Sequence, residues 1–348
     1  MPGVVTAYLG TKNGLHAFTS RDRRQWTAAG SWLDGEDVSA FESDRRDGAF
    51  YAATTTGVFR SDDAGTSWRD IKRDLPMKAA WQITCGHRPG EVWLGGEPAV
   101  LYHSLDRGEA WTPVEGLNSH PTRQHWQPGG GGLIVHTILL HPEDREDVDV
   151  GISVAGFLHS SDGGLTFEVR NTGLPEFAGP DDPREKKDVS QCVHKVVRHP
   201  ARPELLFQQN HVNVWRSADH GRSWGKISDG LPTTFGFPIG ILKSAPHSIF
   251  VIPGNDATEQ AGPYIGGQLA VYRSDDEGAS WKRLTSGLPE VERLNVYRDG
   301  MWTDALPESG VYFGTSAGVA YCSTDRGESW QVLAEGLAGV RCVRVAES

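Results

Sequence analysis

Two histidines occupy equivalent positions in two apolar stretches of the sequence. His136 lies in LIVHTILLHP and His194 in QCVHKVVRHP, each six residues before a proline. A third histidine, His211, follows in the segment QQNHVN. Imidazoles bind borderline divalent metal ions, and they act as general acids or bases near neutral pH. The pattern therefore predicts a functional site, provided that the fold brings the three rings together.

This histidine set leaves two kinds of chemistry open. With a metal, the predicted ligands are His136, His194 and His211, which suit zinc or a similar divalent transition metal with one open coordination position. Without a metal, His136 and His194 are the predicted catalytic residues, and either ring is a candidate general base. The alternative for each histidine is a structural role as a hydrogen-bonded core residue.

The composition limits the partners. The chain has 348 residues and a formal net charge of -11, with no block of lysines and arginines. Nucleic acid and anionic membrane surfaces are therefore not expected partners. No apolar run is long enough to predict a transmembrane helix.

The cysteines and the N-terminal segment bear on location. The four cysteines are Cys85, Cys192, Cys322 and Cys342, and none of them forms a Cys-x-x-Cys motif. We expect reduced, buried thiols rather than a disulfide framework or a zinc knuckle. The N-terminal residues do not follow the pattern of a signal peptide. Together these features predict a cytoplasmic protein.

A short motif repeats along the whole chain. Six segments follow the pattern Ser-x-Asp-x-Gly-x-x-Trp/Phe, and a seventh at 20–26 is one residue shorter. The carboxylate can accept hydrogen bonds from backbone N–H groups of a tight turn, and the glycine permits positive φ. The aspartates are therefore predicted to stabilise turns rather than to do chemistry. The six boxes are at 61–68, 104–111, 160–167, 217–224, 274–281 and 323–330.

These boxes resemble the Asp-box (BNR) repeat of sialidases, the sortilin ectodomain, xyloglucanases and a photosystem II assembly factor. The resemblance covers the whole chain and implies a β-propeller, but it does not imply one activity. The chain is similar to bacterial proteins loosely called sialidase-like. It departs from true sialidases because it lacks their early Arg-Ile-Pro motif.

Each repeat is predicted to contain four strands, A to D, with the box between C and D. Seven repeats of about 50 residues predict an all-β protein, a single seven-bladed β-propeller domain over residues 1–348. The C-terminal strand is predicted to complete the first blade, which removes an exposed sheet edge. The predicted A strands, innermost in each blade, are 38–43, 81–86, 133–140, 192–198, 238–244, 294–299 and 340–346.

Three long connections are predicted on the face opposite the boxes, at 118–132, 176–190 and 253–269. Long loops on one face indicate a functional rim. His136 and His194 are predicted at the channel mouth beneath these loops, with the Gly129–Gly132 run passing close above. The predicted substrate-binding residues are His125, Trp126, Gln127, Lys195, Gln209, Asn213, Phe237 and Tyr264.

Three functions remain open at this point. The first is an enzyme, such as a lyase or hydrolase, that acts on a small, medium-sized or oligomeric organic substrate at the histidine site. The second is a non-catalytic propeller that binds a peptide or protein, as an assembly factor does. The third is a glycoside hydrolase. Xyloglucanases, however, use paired carboxylates between two propellers, and this chain is predicted to form one propeller.

Overall fold

The computed structural model describes residues 3–72, 74–129, 131–175, 189–254, 269–290 and 295–347. Its strands form seven four-stranded antiparallel sheets, which are the blades of a β-propeller. The predicted all-β fold class is therefore confirmed. The chain divides into two compact units, residues 40–225 and residues 1–39 with 226–348.

The first unit contains blades 2 to 5. Blade 2 consists of β4 (Val38–Asp44), β5 (Ala49–Thr54), β6 (Val58–Ser61) and β7 (Arg69–Asp70), and blade 3 of β8 (Ala79–Cys85), β9 (Val92–Glu97), β10 (Val100–Ser104) and β11 (Thr112–Pro113). Blade 4 consists of β12 (Val135–Leu140), β13 (Val148–Ile152), β14 (Gly156–Ser160) and β15 (Glu168–Val169), and blade 5 of β16 (Val193–His199), β17 (Arg202–Asn210), β18 (Val214–Ser217) and β19 (Gly225–Lys226).

The second unit contains blades 1, 6 and 7. Blade 1 consists of β1 (Val5–Thr11), β2 (Gly14–Ser20), β3 (Thr27–Trp32) and the C-terminal β28 (Val340–Glu347). Blade 6 consists of β20 (Gly236–Ile241), β21 (Ile249–Pro253), β22 (Val271–Ser274) and β23 (Lys282–Leu284), and blade 7 of β24 (Met301–Thr303), β25 (Val311–Gly314), β26 (Ala320–Ser323) and β27 (Gln331–Ala334). The pairing of β28 with β1 confirms the predicted closure of blade 1.

Helix is scarce in the described residues. A four-residue α-helix, α1 (Glu115–Asn118), and a 3-10 turn, Arg123–His125, lie in or beside the 118–132 connection. Within the described ranges, no helix is both long and apolar enough to span a membrane. Within the first unit, apolar side chains of blades 3 and 4 pack into one shared core, which contains Leu101 and Val150.

The six full boxes adopt one hydrogen-bonded turn. In each box the serine Oγ donates to the aspartate Oδ1 at 2.7–2.8 Å, and the glycine N–H donates to that serine Oγ at 2.7–2.8 Å. The N–H four residues after the aspartate donates to the carboxylate at 2.8–2.9 Å. The glycine and the residue before it both have positive φ, which explains the glycine. The carboxylates are therefore occupied within the turns.

The shorter box at 20–26 keeps the same plan. Asp22 accepts hydrogen bonds from the N–H groups of Arg24 and Gln25, both at 2.9 Å. Arg23 takes the left-handed conformation with φ 57°, so the turn closes without the glycine. An arginine in this conformation is more strained than glycine, and the shortened turn does not need a second left-handed residue.

Substitution of a box aspartate should lower the stability of the fold. Any function of the correctly folded protein should remain. We expect Asp219→Ala to reduce the free energy of unfolding by about 1–3 kcal/mol, because the turn N–H groups lose their acceptor. Asp276→Ala, at a more exposed carboxylate, should fall at the lower end of that range. Urea denaturation measures both, with the exposed Arg222→Ala as control. Unchanged stability in both aspartate variants would contradict a structural role for the boxes.

The outer strands are short, and one inner-strand prediction is wrong. The outer strand of most blades is only two or three residues long and begins after the box aromatic, as Arg69 follows Trp68. An outer strand is exposed on its far edge, and a short edge strand limits unwanted pairing. The inner strand of blade 7 is Met301–Thr303 rather than 294–299. There Gly300 donates to the Tyr297 carbonyl at 3.0 Å, which makes a turn where a strand was predicted.

Candidate functional site

His136 and His194 lie at matching irregularities in the inner strands of blades 4 and 5. The pairing register of β12 shifts between Val135 and Thr137, and that of β16 shifts between Val193 and Lys195. Each shift is a β-bulge, which removes one residue from the ladder and re-aims its side chain. Trp81 occupies the same position in β8, where the register shifts between Ala80 and Gln82. The aligned histidines of the sequence are thus structurally equivalent.

A three-residue cluster forms around His194. The possible ligand atoms of Cys192, His194 and His211 all lie within 4.8 Å of one another. The two imidazole rings meet edge to face, with centroids 5.4 Å apart. Cys192 is 6% and His194 2% exposed, whereas His211 is half-buried. The arrangement can bind a transition-metal ion through one sulfur and two nitrogen atoms.

The backbone of blade 5 positions these three side chains. Cys192 and His194 flank Val193 at the start of β16, where the bulge sets the direction of the His194 side chain. His211 begins the turn after β17, and its N–H donates to the Cys192 carbonyl at 2.9 Å. The ends of two paired strands therefore hold the cluster.

Hydrogen bonds also hold the turn that follows His211. Asn213 has φ 78°, and its carbonyl accepts from the Asn210 N–H at 3.1 Å and from Gln209 Nε2 at 3.3 Å. Trp215 Nε1 donates to the Val212 carbonyl at 2.8 Å. These bonds limit the conformations that the turn can take, so His211 is presented by an ordered backbone.

The predicted histidine trio is brought together only in part. His194 and His211 are neighbours, but His136 is not a member of their cluster, and Cys192 is the third member instead. His136 is 1% exposed, and its Nδ1 lies 3.4 Å from Thr137 Oγ1. The sequence analysis predicts Cys192 only as a buried thiol, and the structure adds it to the cluster. The Cys-x-His spacing at the start of β16 was the signal that would have identified it.

The predicted residues of the 118–132 connection divide by burial. His125 and Gln127 are half-buried. Trp126 is 4% exposed within the apolar core of blades 3 and 4, and its Nε1 donates to Thr122 Oγ1 at 3.0 Å. Its ring also stacks on His120 at a centroid distance of 5.8 Å. Trp126 therefore packs in the core rather than forming an exposed wall of a substrate-binding site.

The other predicted substrate-binding residues lie in three places. Lys195, Gln209 and Asn213 belong to blade 5, where Gln209 is 2% exposed and donates to backbone carbonyls of the turn. In the second unit Phe237 is 5% exposed and packs edge-on against Phe235 at 5.0 Å. Tyr264 lies outside the described residues.

A second polar cluster, Asp147, Asp149 and His159, is buried at the box end of blade 4. Arg198 Nη2 contacts both carboxylates, with 3.0 Å to Asp147 Oδ1, and His159 Nδ1 lies 2.8 Å from Asp149 Oδ1. Burial raises the pKa of Asp149, and the hydrogen bond from His159 and the charge of Arg198 oppose that rise. Because the guanidinium already compensates the carboxylates, this cluster is a structural ion network rather than a metal site.

Comparison with curated proteins yields two informative relatives, although no family model matches the chain. The photosystem II assembly lipoprotein Ycf48 of Synechococcus sp. (strain CC9902) is 33% identical over 283 residues, which is 81% of this chain and 71% of that protein. A probable oligoxyloglucan-reducing end-specific xyloglucanase of Neosartorya fischeri is 21% identical over 321 residues. That match covers 81% of this chain, which spans only 36% of the xyloglucanase.

Solved structures show the same fold at low identity. An ancestral GH74 enzyme superposes with a TM-score of 0.62 and 14% identity, over 89% of this chain and 38% of that one. A structure of Ycf48 bound to a D1 peptide superposes with a TM-score of 0.55 and 14% identity, over 85% of this chain and 80% of that one. These structural matches support the β-propeller fold. The evidence for family membership is the sequence match with the Ycf48 lipoprotein. Because a relative 33% identical is matched over most of both chains, this protein belongs to the family of the photosystem II assembly factor Ycf48.

Proposed function

We propose that the protein is a non-catalytic propeller that binds a peptide segment of a partner protein. The observation that carries this proposal is the 33% identity with the Ycf48 lipoprotein over 81% of this chain. That relative is named as an assembly factor, and a Ycf48 structure holds a peptide. The same class of function, recognition of a polypeptide during assembly, is therefore assigned to this chain.

Blade 5 offers a surface suited to such recognition at the end opposite its box. The surface, which we term the blade-5 patch, consists of Lys195, His211, Val212 and Asn213. Val212 is 37% exposed at the tip of the turn, while the other three are half-buried. An apolar side chain surrounded by polar groups is the usual composition of a binding surface. The ordered turn means that little conformational entropy would be lost on binding.

The charge of the protein favours one kind of peptide. A formal net charge of -11 attracts cationic segments over long range and repels acidic ones. We therefore expect the preferred peptides to carry lysine or arginine beside an apolar residue that packs on Val212. Such binding should weaken as salt is added, because exposed charges are screened.

The patch is tested with peptides and matched surface variants. Peptides that bind the wild-type protein are selected from a displayed random library. The affinities of these peptides and of the D1 peptide are then measured by fluorescence anisotropy. We expect Val212→Ser to weaken binding about 10-fold, because the apolar contact is lost. Leu165→Ser, which changes a 77% exposed leucine of the blade 4 box, should bind like the wild type. Failure to select any peptide, or equal effects of both variants, would refute the proposal.

The glycoside hydrolase alternative needs a separate assay, because the matched xyloglucanase supports it at 21% identity. Wild-type protein is incubated with xyloglucan and its oligosaccharides, and the release of reducing ends is measured. A binding propeller should release none. Sustained release that persists through purification would favour an enzyme over the peptide-binding proposal.

A further inference from the structure

We propose that Cys192, His194 and His211 form a binding site for a single transition-metal ion, with zinc(II) as the preferred occupant. We call these three residues the blade-5 metal site. The inference goes beyond peptide binding and does not depend on it. It rests on the convergence of three donor atoms from two strand ends, all within 4.8 Å of one another.

The donor set selects the type of ion. A thiolate and two imidazoles are soft and borderline ligands, and the site has no carboxylate among its three members. Such sets prefer zinc, cobalt or copper over magnesium and calcium, which take oxygen ligands. Thiolate and imidazole donors together are usual for tetrahedral zinc.

The spacing of the donor atoms is close to that of a metal complex. A tetrahedral zinc ion with bonds of about 2.3 Å to sulfur and 2.0–2.1 Å to nitrogen places its ligand atoms about 3.3–3.7 Å apart. The three donors here lie within 4.8 Å of one another. The donor pairs therefore need to close by at most about 1.5 Å to match that geometry.

The backbone supplies the rigidity that a metal site requires. Cys192 and His194 flank Val193, which pairs with Asn210 of the neighbouring strand. His211 is tied to Cys192 by the 2.9 Å hydrogen bond between its N–H and the Cys192 carbonyl. Sites built on such paired elements hold their geometry better than sites on unsupported loops.

The surroundings of the site also suit an ion. Asn210, beside His211 in sequence, is 2% exposed, and its Nδ2 has no hydrogen-bond partner within the described residues. Gln208 is 0% exposed, and neither atom of its side-chain amide has a partner in the same part of the chain. Unpaired buried amides of this kind call for further partners, which ordered water or a hydrated ion can supply.

The exposure of the ligands predicts how the ion is reached. Cys192 and His194 are almost fully buried, whereas His211 is half-buried at the turn. Metal should therefore enter on the His211 side. Three protein ligands leave a fourth tetrahedral position, which water or another donor from solution would fill.

Cobalt(II) is the probe for the test, because its spectrum reports both geometry and sulfur ligation. The full chain is stripped with a chelator under reducing conditions and titrated with cobalt(II), then with zinc(II). We expect one equivalent to give visible bands of tetrahedral cobalt and a thiolate-to-cobalt charge-transfer band. One equivalent of zinc should displace the cobalt and bleach both.

Variants assign the ligands. Cys192→Ser should remove the charge-transfer band, and His211→Gln should lower cobalt affinity more than about 100-fold, since loss of even an outer-shell partner costs 10–100-fold. Controls are Cys85→Ser, the other cysteine of the same unit, and His125→Gln, another half-buried histidine. Both should bind cobalt like the wild type.

Several results would overturn the site. The first is an absence of cobalt uptake by the folded wild-type protein. The others are a charge-transfer band that survives in Cys192→Ser, and control variants that lose as much cobalt affinity as the ligand variants. Because His211 lies at a partly exposed turn, the His211→Gln variant should fold even if Cys192→Ser does not. Circular dichroism verifies the folding of each variant. Val212→Ser keeps all three ligands and should bind cobalt like the wild type, so failure of the peptide-binding proposal is distinguishable from failure of the metal site.

Discussion

Removal of residues 339–348 is expected to abolish soluble, monomeric protein. The deletion takes away β28, which pairs with β1 from Val5 to Thr11. It also removes Val340, Cys342 and Val343, each 0% exposed, from the core of the second unit. The edge of β1 would be left with unpaired backbone groups, which recruit other chains. Size-exclusion chromatography and circular dichroism should detect oligomers or aggregate without a cooperative melting transition.

A circular permutant provides the matched control for this deletion. Because β28 runs antiparallel to β1 and Glu347 pairs with Val5, residues 339–348 can be moved before residue 1 through a short turn. The permutant keeps every strand pair and should fold as a monomer with a melting transition near that of the wild type. A truncated chain that melts like the wild type would contradict the assigned role of β28, as would a permutant that fails while the truncation folds.

Arg198→Met is expected to lower the free energy of unfolding by about 3–5 kcal/mol, the usual effect of removing one partner of a buried ion pair. The Arg198 side chain is 7% exposed, and it contacts the buried carboxylates of Asp147 and Asp149. Without it, two carboxylates remain buried beside His159. Chemical denaturation measures the loss, with the exposed Arg222→Met expected to change stability by less than about 0.5 kcal/mol.

A double variant separates charge from packing at the same place. Asp149→Asn combined with Arg198→Met removes one uncompensated carboxylate, so the combined loss should be at least about 1 kcal/mol smaller than the sum of the two single losses. The loss in Arg198→Met should also shrink as the pH is lowered from neutral, because a buried carboxyl with a raised pKa takes up a proton more readily than an exposed one. Additive losses that do not vary with pH would indicate that Arg198 contributes packing alone.

Much of the fold follows from local features of the sequence. Each box turn closes with hydrogen bonds between residues at most four apart, such as those that Ser217 Oγ and the Ser223 N–H donate to Asp219. Alternating apolar residues beside these turns predict strands, and the repeat count predicts seven blades. The pairing of β28 with β1 was also predictable, because one inner strand was missing at the start of the chain and one was left over at its end.

The candidate site was predicted only in part, for a different reason. The alignment of His136 with His194 correctly marked equivalent bulges in β12 and β16. Equivalent positions in two blades are separated by a blade spacing, so they need not share a ligand. Cys192 and His211 lie in one blade and meet His194 through strand pairing.

The sequence by itself determined the strand order, the box turns and the closing strand, because these depend on short-range hydrogen bonding and on the periodicity of apolar residues. The tertiary structure decided which side chains meet. It placed Trp126 in a core, joined Cys192 to the two histidines of blade 5 and left His136 outside that cluster. Such contacts depend on bulges, register and the direction of individual side chains, and a register shift of one residue is enough to change them.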